Sequence, residues 1–146
     1  LEDQISKTVK AGATKLTGCE SMSGKGYFYK PGILEDIPEN SPAAQDELFG
    51  PVASLFKTKS FDHAIEIANN SRFGLGAAIF TTDKDEQDSA VERLQAGGVF
   101  VNQIVASDPR LPFGGIKVSG YGRELAEEGI KEFLNIKTVS IQHSRR

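Results

Sequence analysis

Residues 74–102 read "GLGAAIFTTDKDEQDSAVERLQAGGVFVN", and this stretch decides the fold. It opens on a short apolar, β-prone run, "GLGAAIFTT", and closes on another, "VFVN". Between them, Asp83 and Glu86 stand at capping-box spacing, where side-chain oxygens can accept from the free N–H groups of a first helical turn. Ala90, Val91 and Leu94 fall on one helical face, and Gly97-Gly98 supplies a stop. Strand, helix, strand in this order predicts a crossover connection of right-handed sense.

The same alternation begins earlier. "VASLFKT", from Val52, is apolar and β-prone, and "SFDHAIEIANN" sets Phe61, Ala64, Ile65 and Ala68 on one face behind a Ser60 cap. Together the segments predict an α/β fold: a parallel βαβαβ sheet covered by helices. Ligands in such sheets gather beyond the carboxyl ends of the strands, where loops converge. Ahead of this core, the first segment reads as the tail of a helix closed by Gly12, with a short strand over 15–17. "SMSGKGYFYKPGILED" reads as surface: Gly24 and Gly26 suggest a tight turn, and Pro31 restricts its strand to an edge or an end. The last segment, "NIKTVSIQ", alternates like a strand and has no partner nearby in the chain, which predicts pairing with another domain or subunit.

The 146 residues suit one domain, and the first is Leu1, so a longer parent polypeptide is expected. A net charge of −3, with no basic cluster beyond the terminal "HSRR", argues against a nucleic-acid surface. No apolar run reaches the roughly 18 residues a membrane span requires, and no signal-peptide pattern opens the chain, so a cytoplasmic location with no membrane partner is expected. Cys19 is the one cysteine; it follows Gly18 in what reads as a surface turn without an activating cation, and is expected to be an ordinary thiol. His63 and His143 are isolated, so no metal site is expected.

One loop demands a separate explanation. "RLPFGGIKVSGYGRE", residues 110–124, carries glycines at 114, 115, 120 and 122, yet Tyr121 stands where a Walker loop needs lysine, and Leu125 where a dinucleotide fingerprint needs glycine. Long loops inside compact domains are uncommon unless functional, and Pro109, Pro112 and Gly114-Gly115 argue for a fixed path.

Four motifs in order, "ELFGPV" (47–52), "ANNSRFGLGAAIFT" (68–81), "GGVFVN" (97–102) and "LPFGGIKVSGYGRE" (111–124), resemble the C-terminal portion of NAD(P)-dependent aldehyde dehydrogenases. "ASDPRLPFGG" and "SGYGRELAEEGIKEFLNIKTV" look closest to the bacterial succinate-semialdehyde dehydrogenase branch. The resemblance implies the second half of the catalytic domain over residues 1–133, with an oligomerisation strand and tail over 134–146 that would join a homo-oligomer. It also implies NAD or NADP as hydride acceptor and a small-molecule aldehyde as substrate. Family members use a cysteine that forms a thiohemiacetal and a glutamate that activates water. The stretch ahead of Glu47 holds neither a Gly-Gln-Xaa-Cys nor a Glu-Leu-Gly-Gly motif, so the chain alone is expected to be inactive. The alternative is a non-catalytic truncated homologue serving as an oligomerisation or interaction module.

Residue by residue, the resemblance assigns Glu47 to the nicotinamide ribose hydroxyls, which suit a carboxylate's paired acceptors, and Phe49 to the nicotinamide itself. It assigns Phe113 to the wall of the aldehyde tunnel, so the glycine-rich loop shapes a substrate pocket and binds no phosphate. Ser107, in the variable "ASDPRL" segment, is the candidate partner for a polar substrate tail, with Arg110 a weaker one for a carboxylate. Glu124 matches a second family glutamate associated with proton movement. Asn102 matches a strand-terminal asparagine whose role, orienting the loop or touching ligand, stays open.

Overall fold

The computed structural model describes residues 1–143; Ser144, Arg145 and Arg146, and with them most of the basic "HSRR" cluster, lie outside the described residues. Two compact units divide the chain, Leu1–Arg72 and Phe73–Arg146.

In the first unit, helix α1 (Glu2–Ala11) ends as expected at Gly12, whose left-handed backbone (φ 125°) lets its N–H reach the Thr8 and Val9 carbonyls. Strands β1 (Thr14–Thr17), β2 (Glu20–Ser21), β3 (Tyr29–Lys30) and β4 (Gly32–Glu35) follow, then the short helix α2 (Pro42–Gln45), β5 (Val52–Ser54) and α3 (Phe61–Asn69). β4 is the middle strand of a three-stranded sheet, antiparallel to β1 and parallel to β5, with Gly32 opposite Val52 and Leu34 opposite Ser54. β2 and β3 form a separate small hairpin.

The expectation that residues 21–36 are surface is therefore corrected for β4. Pro31 stands just before that strand, where its missing N–H breaks no ladder bond, and Leu34 is completely enclosed. Leu34 packs with Ile5, Ala13, Cys19, Ile37 and Ala43 as the core of this unit. Cys19, read from sequence as a surface thiol, is instead fully buried. α1 and α2 are fastened through Thr8, whose hydroxyl donates to the Gln4 carbonyl at 2.8 Å and accepts from the Ala43 N–H at 3.0 Å. Ser60 caps α3 as read, its Oγ accepting from the His63 N–H at 3.1 Å.

The second unit contains β6 (Gly76–Ile79), α4 (Lys84–Arg93), β7 (Gly98–Val101), a 3-10 turn (Lys117–Ser119) and α5 (Ala126–Lys131). β6 and β7 run parallel, Gly76 opposite Gly98 and Ile79 opposite Val101, so the strand–helix–strand reading of residues 74–102 holds. Asp83 Oδ1 accepts from the N–H groups of Asp85 and Glu86, as a capping residue should. Glu86 completes a variant of the box through Thr81, whose hydroxyl donates to its carboxylate at 2.6 Å and accepts from the Asp83 N–H at 3.1 Å.

One expectation changes here. The continuous βαβαβ sheet is not formed, because β5 takes β4 as its parallel neighbour and β6 takes β7. Residues 134–143, whose expected strand would pair with another domain or subunit, find no ladder partner among the described residues. Their Ile136, Val139 and Ile141 stand 91%, 71% and 72% exposed.

Candidate functional site

The first unit presents Glu47 and Phe49 on the connection between α2 and β5. Proline in the first turn starts α2, and Asp46 leaves it in an extended conformation. Leu48 then packs against the core, anchoring the segment, while its neighbours Glu47 and Phe49 are exposed. Gln4 Nε2 donates to the Glu47 carbonyl at 3.3 Å, a second tie to α1. The Glu47 carboxylate makes no hydrogen bond among the described residues, so both its oxygens remain free to accept from a vicinal diol. Phe49, 86% exposed, offers a ring face and borders a groove of about 490 Å³ with Tyr27, Phe28 and Pro51. The segment therefore offers a carboxylate acceptor at Glu47 and an apolar ring face at Phe49. A cavity of about 510 Å³ in the same unit, lined by Ile37, Phe56, His63 and Ile67 among others, takes in none of the sequence-predicted site residues.

In the second unit, Phe113 and Glu124 come together. Their main chains pair antiparallel, Phe113 N–H donating to the Glu124 carbonyl at 2.8 Å and Glu124 N–H to the Phe113 carbonyl at 2.7 Å. The loop between them is stitched to the start of β6. Gly74 N–H donates to Ser119 Oγ at 2.9 Å, and Ile116 N–H to the Gly74 carbonyl at 2.9 Å. Glycine is obligatory at the closest approach: a Cβ on Gly97 would lie 1.7 Å from the Gly114 carbonyl oxygen. Arg123 laces the turn from inside, its Nη1 donating to the Gly115 carbonyl at 3.1 Å and the Gly122 carbonyl at 2.6 Å. Phe113 is half-buried by this packing, and Glu124 remains exposed.

Ser107 is exposed on the same long connection. Nearby, Arg110 folds back on Asp108, Nη2 to Oδ2 at 2.6 Å and Nε to Oδ1 at 2.9 Å, with the Arg110 N–H also donating to Oδ1 at 2.9 Å. The guanidinium and this N–H hold the Asp108 carboxyl below its usual range. The fork that could grip a substrate carboxylate is thereby engaged within the loop. Arg110 is a structural brace here.

Cys19 is positioned as the opposite of a nucleophile. Burial pushes its thiol up, with Lys15 pulling weakly the other way. Among the described residues, no group of three or more His, Cys, Asp or Glu side chains could hold a metal ion. Nor is any described helix long and apolar enough to cross a membrane.

Two contributors take a definite role only in the structure: Asn102, whose part was open, and Arg123, read from sequence as a structural residue pairing across a contact. Asn102 proves to hold the loop's departure from β7, through two side-chain bonds to the Thr81 main chain. A residue tolerant of left-handed backbone at the end of a strand was the available signal. Arg123 laces backbone carbonyls within the loop, which no spacing pattern encodes.

Residues 1–139 match the model of the aldehyde dehydrogenase family. The chain is 48% identical over 139 residues to the succinate semialdehyde dehydrogenase [NAD(P)+] of Escherichia coli (strain K12), covering 95% of this chain and 30% of that protein. It is 46% identical over 139 residues to a succinate-semialdehyde dehydrogenase [NADP(+)] of Mycobacterium ulcerans, with 95% and 30% covered. The solved succinic semialdehyde dehydrogenase of Streptococcus pyogenes, in complex with NADP+ as the cofactor, superposes with a TM-score of 0.90 at 38% identity, covering 97% of this chain and 31% of that one. The chain therefore spans about 30% of the length of the curated relatives it matches.

Proposed function

The chain belongs to the aldehyde dehydrogenase family, and on that premise we propose that it is the C-terminal part of the catalytic region of an enzyme that oxidises an aldehyde, succinate semialdehyde foremost, to its carboxylic acid with NAD or NADP. The observation that carries this reading is the paired main chain of Phe113 and Glu124. It brings an aromatic suited to a tunnel wall and a free carboxylate into one rigid loop.

In this reading Glu47 accepts hydrogen bonds from the nicotinamide ribose and Phe49 packs on the nicotinamide ring. Bound NAD(P) supplies the hydride acceptor. Phe113 lines the aldehyde path and excludes water from it, Ser107 donates to the remote polar end of a semialdehyde, and the Glu124 carboxylate passes a proton to or from solvent. The nucleophilic thiol and the water-activating carboxylate are assigned to the part of the full-length protein that this chain does not span, because the Cys19 thiol is enclosed and protonated.

The test is steady-state kinetics on the full-length protein with succinate semialdehyde and with a short neutral aldehyde. Glu47→Gln weakens a charge-assisted acceptor and should raise the KM for NAD(P) about tenfold, roughly 1.4 kcal/mol. Absence of NAD(P)H formation with either aldehyde would favour the non-catalytic module instead. Residues 134–146 are assigned to an oligomerisation strand and tail, the strand part supported by the exposed, unladdered Ile136, Val139 and Ile141. Truncation after Phe133 should lower the assembly's mass by light scattering, and an unchanged mass would remove that assignment.

A further inference from the structure

β7 ends at Val101, and the next residue does two things at once. Asn102 turns the backbone into the left-handed region (φ 54°), so the main chain leaves the sheet. Its own N–H still donates to the Ile79 carbonyl at 2.7 Å. Its carboxamide then takes the place a further strand residue would have held. Nδ2 donates to the Thr81 carbonyl at 3.0 Å, and Oδ1 accepts from the Thr81 N–H at 3.0 Å. The side chain continues the ladder while the backbone departs from it.

Thr81 is tied from the other side as well. Gln87 Nε2 donates to the same Thr81 carbonyl at 3.0 Å, and the Thr81 hydroxyl joins the cap of α4 through Glu86 and Asp83. The point from which residues 103–112 set out is therefore fixed to β6, β7 and α4 together. At the far end the same connection is fixed by the Phe113–Glu124 pairing, and Ala126 N–H donates to the Pro109 carbonyl at 3.1 Å.

We infer that Asn102 is a positioning residue for aldehyde selection: by setting the angle at which residues 103–112 leave the sheet, it places Ser107 against the remote end of the substrate without touching substrate itself. The inference rests on the reading of this loop as a wall of the aldehyde path. Asparagine is required because the position needs a left-handed backbone and a planar donor–acceptor pair matching a peptide group. Aspartate keeps the acceptor toward the Thr81 N–H but sets an oxygen against the Thr81 carbonyl. Glycine keeps only the backbone freedom.

The experiment is kinetics on full-length Asn102→Gly and Asn102→Asp, with succinate semialdehyde and propionaldehyde measured in parallel and thermal midpoints recorded. The expected result for Asn102→Gly is a fall of about tenfold in the ratio of kcat/KM for the semialdehyde to that for propionaldehyde, carried by the semialdehyde's KM. Asn102→Asp should lie between it and the parent, with the propionaldehyde kcat unchanged. Equal losses on both aldehydes in both variants would reduce Asn102 to a purely structural part and overturn the inference. If Asn102→Gly does not fold, the ratio for Asn102→Asp decides alone. A parent protein that oxidises neither aldehyde removes the functional reading, and this inference with it.

Discussion

Tyr29 shows how an individual residue records its surroundings. Its hydroxyl is enclosed and, although the Glu2 carboxylate lies close to it, none of the described residues meets it in full hydrogen-bond geometry. Burial first, and the charge of Glu2 second, push its ionisation up from 10.0 to about 12. The folded state thus holds the proton more tightly than the unfolded chain. Stability from this source is complete below pH about 10 and is lost as pH climbs through about 12. Absorbance titration should show Tyr29 ionising late, and Tyr29→Phe should abolish that late step. Removing an unsatisfied hydroxyl should also leave the protein as stable or about 1 kcal/mol more stable in urea unfolding. A loss of stability on that substitution would mean that the hydroxyl has a partner.

At the scale of elements, the link between α1 and α2 is concentrated in Thr8. Thr8→Val keeps the shape but leaves the buried Ala43 N–H without its acceptor, and should cost about 1–3 kcal/mol, read as a lowered thermal midpoint. An unchanged midpoint would mean the Ala43 N–H finds another partner. The elements themselves were largely legible in the sequence. Gly12, Ser60 and Asp83 announced helix ends because capping chemistry is local, and the β6–α4–β7 alternation was readable because its connection is short. The pairing of β4 with β5 was hidden, since Pro31 suggests an edge and strand partners are chosen by contacts far apart in sequence. α4 also stops at Arg93, ahead of the glycine pair, which instead opens toward β7. For the proposed site, the resemblance nominated Glu47, Phe49, Ser107, Phe113 and Glu124. The bracing by Arg123, Asn102 and the Asp108–Arg110 pair was not legible, because those bonds depend on where backbone carbonyls end up.

Across the whole molecule, the two units differ in how well they enclose apolar residues. The first encloses Ile5, Leu34, Ile37 and Ile65. In the second, Ala90 is the one described hydrophobic residue that is buried, while Phe80, Ile104, Leu111 and Phe133 stand 57–90% exposed. Apolar area left in water contributes nothing to folding, at roughly 25 cal/mol per Å² forgone. This pattern fits a chain spanning about 30% of its relatives' length. Expressed by itself, the chain should bind a dye such as ANS and aggregate with rising concentration, whereas the full-length protein should do neither. A dye-dark, monomeric chain would show that these faces need no cover.

The loop anchored at Asn102 and again at Phe113 has an evolutionary consequence. A segment clamped at both ends by bonds to main chain and glycine contacts is a cassette. Residues 103–107 can be exchanged for others without disturbing the clamps, because the Asn102 carboxamide, the Asp108–Arg110 brace and the Pro109 carbonyl lie outside them. Gene duplication followed by drift in this short window is then enough to vary what the connection presents on an unaltered frame. A designer has the same window to randomise.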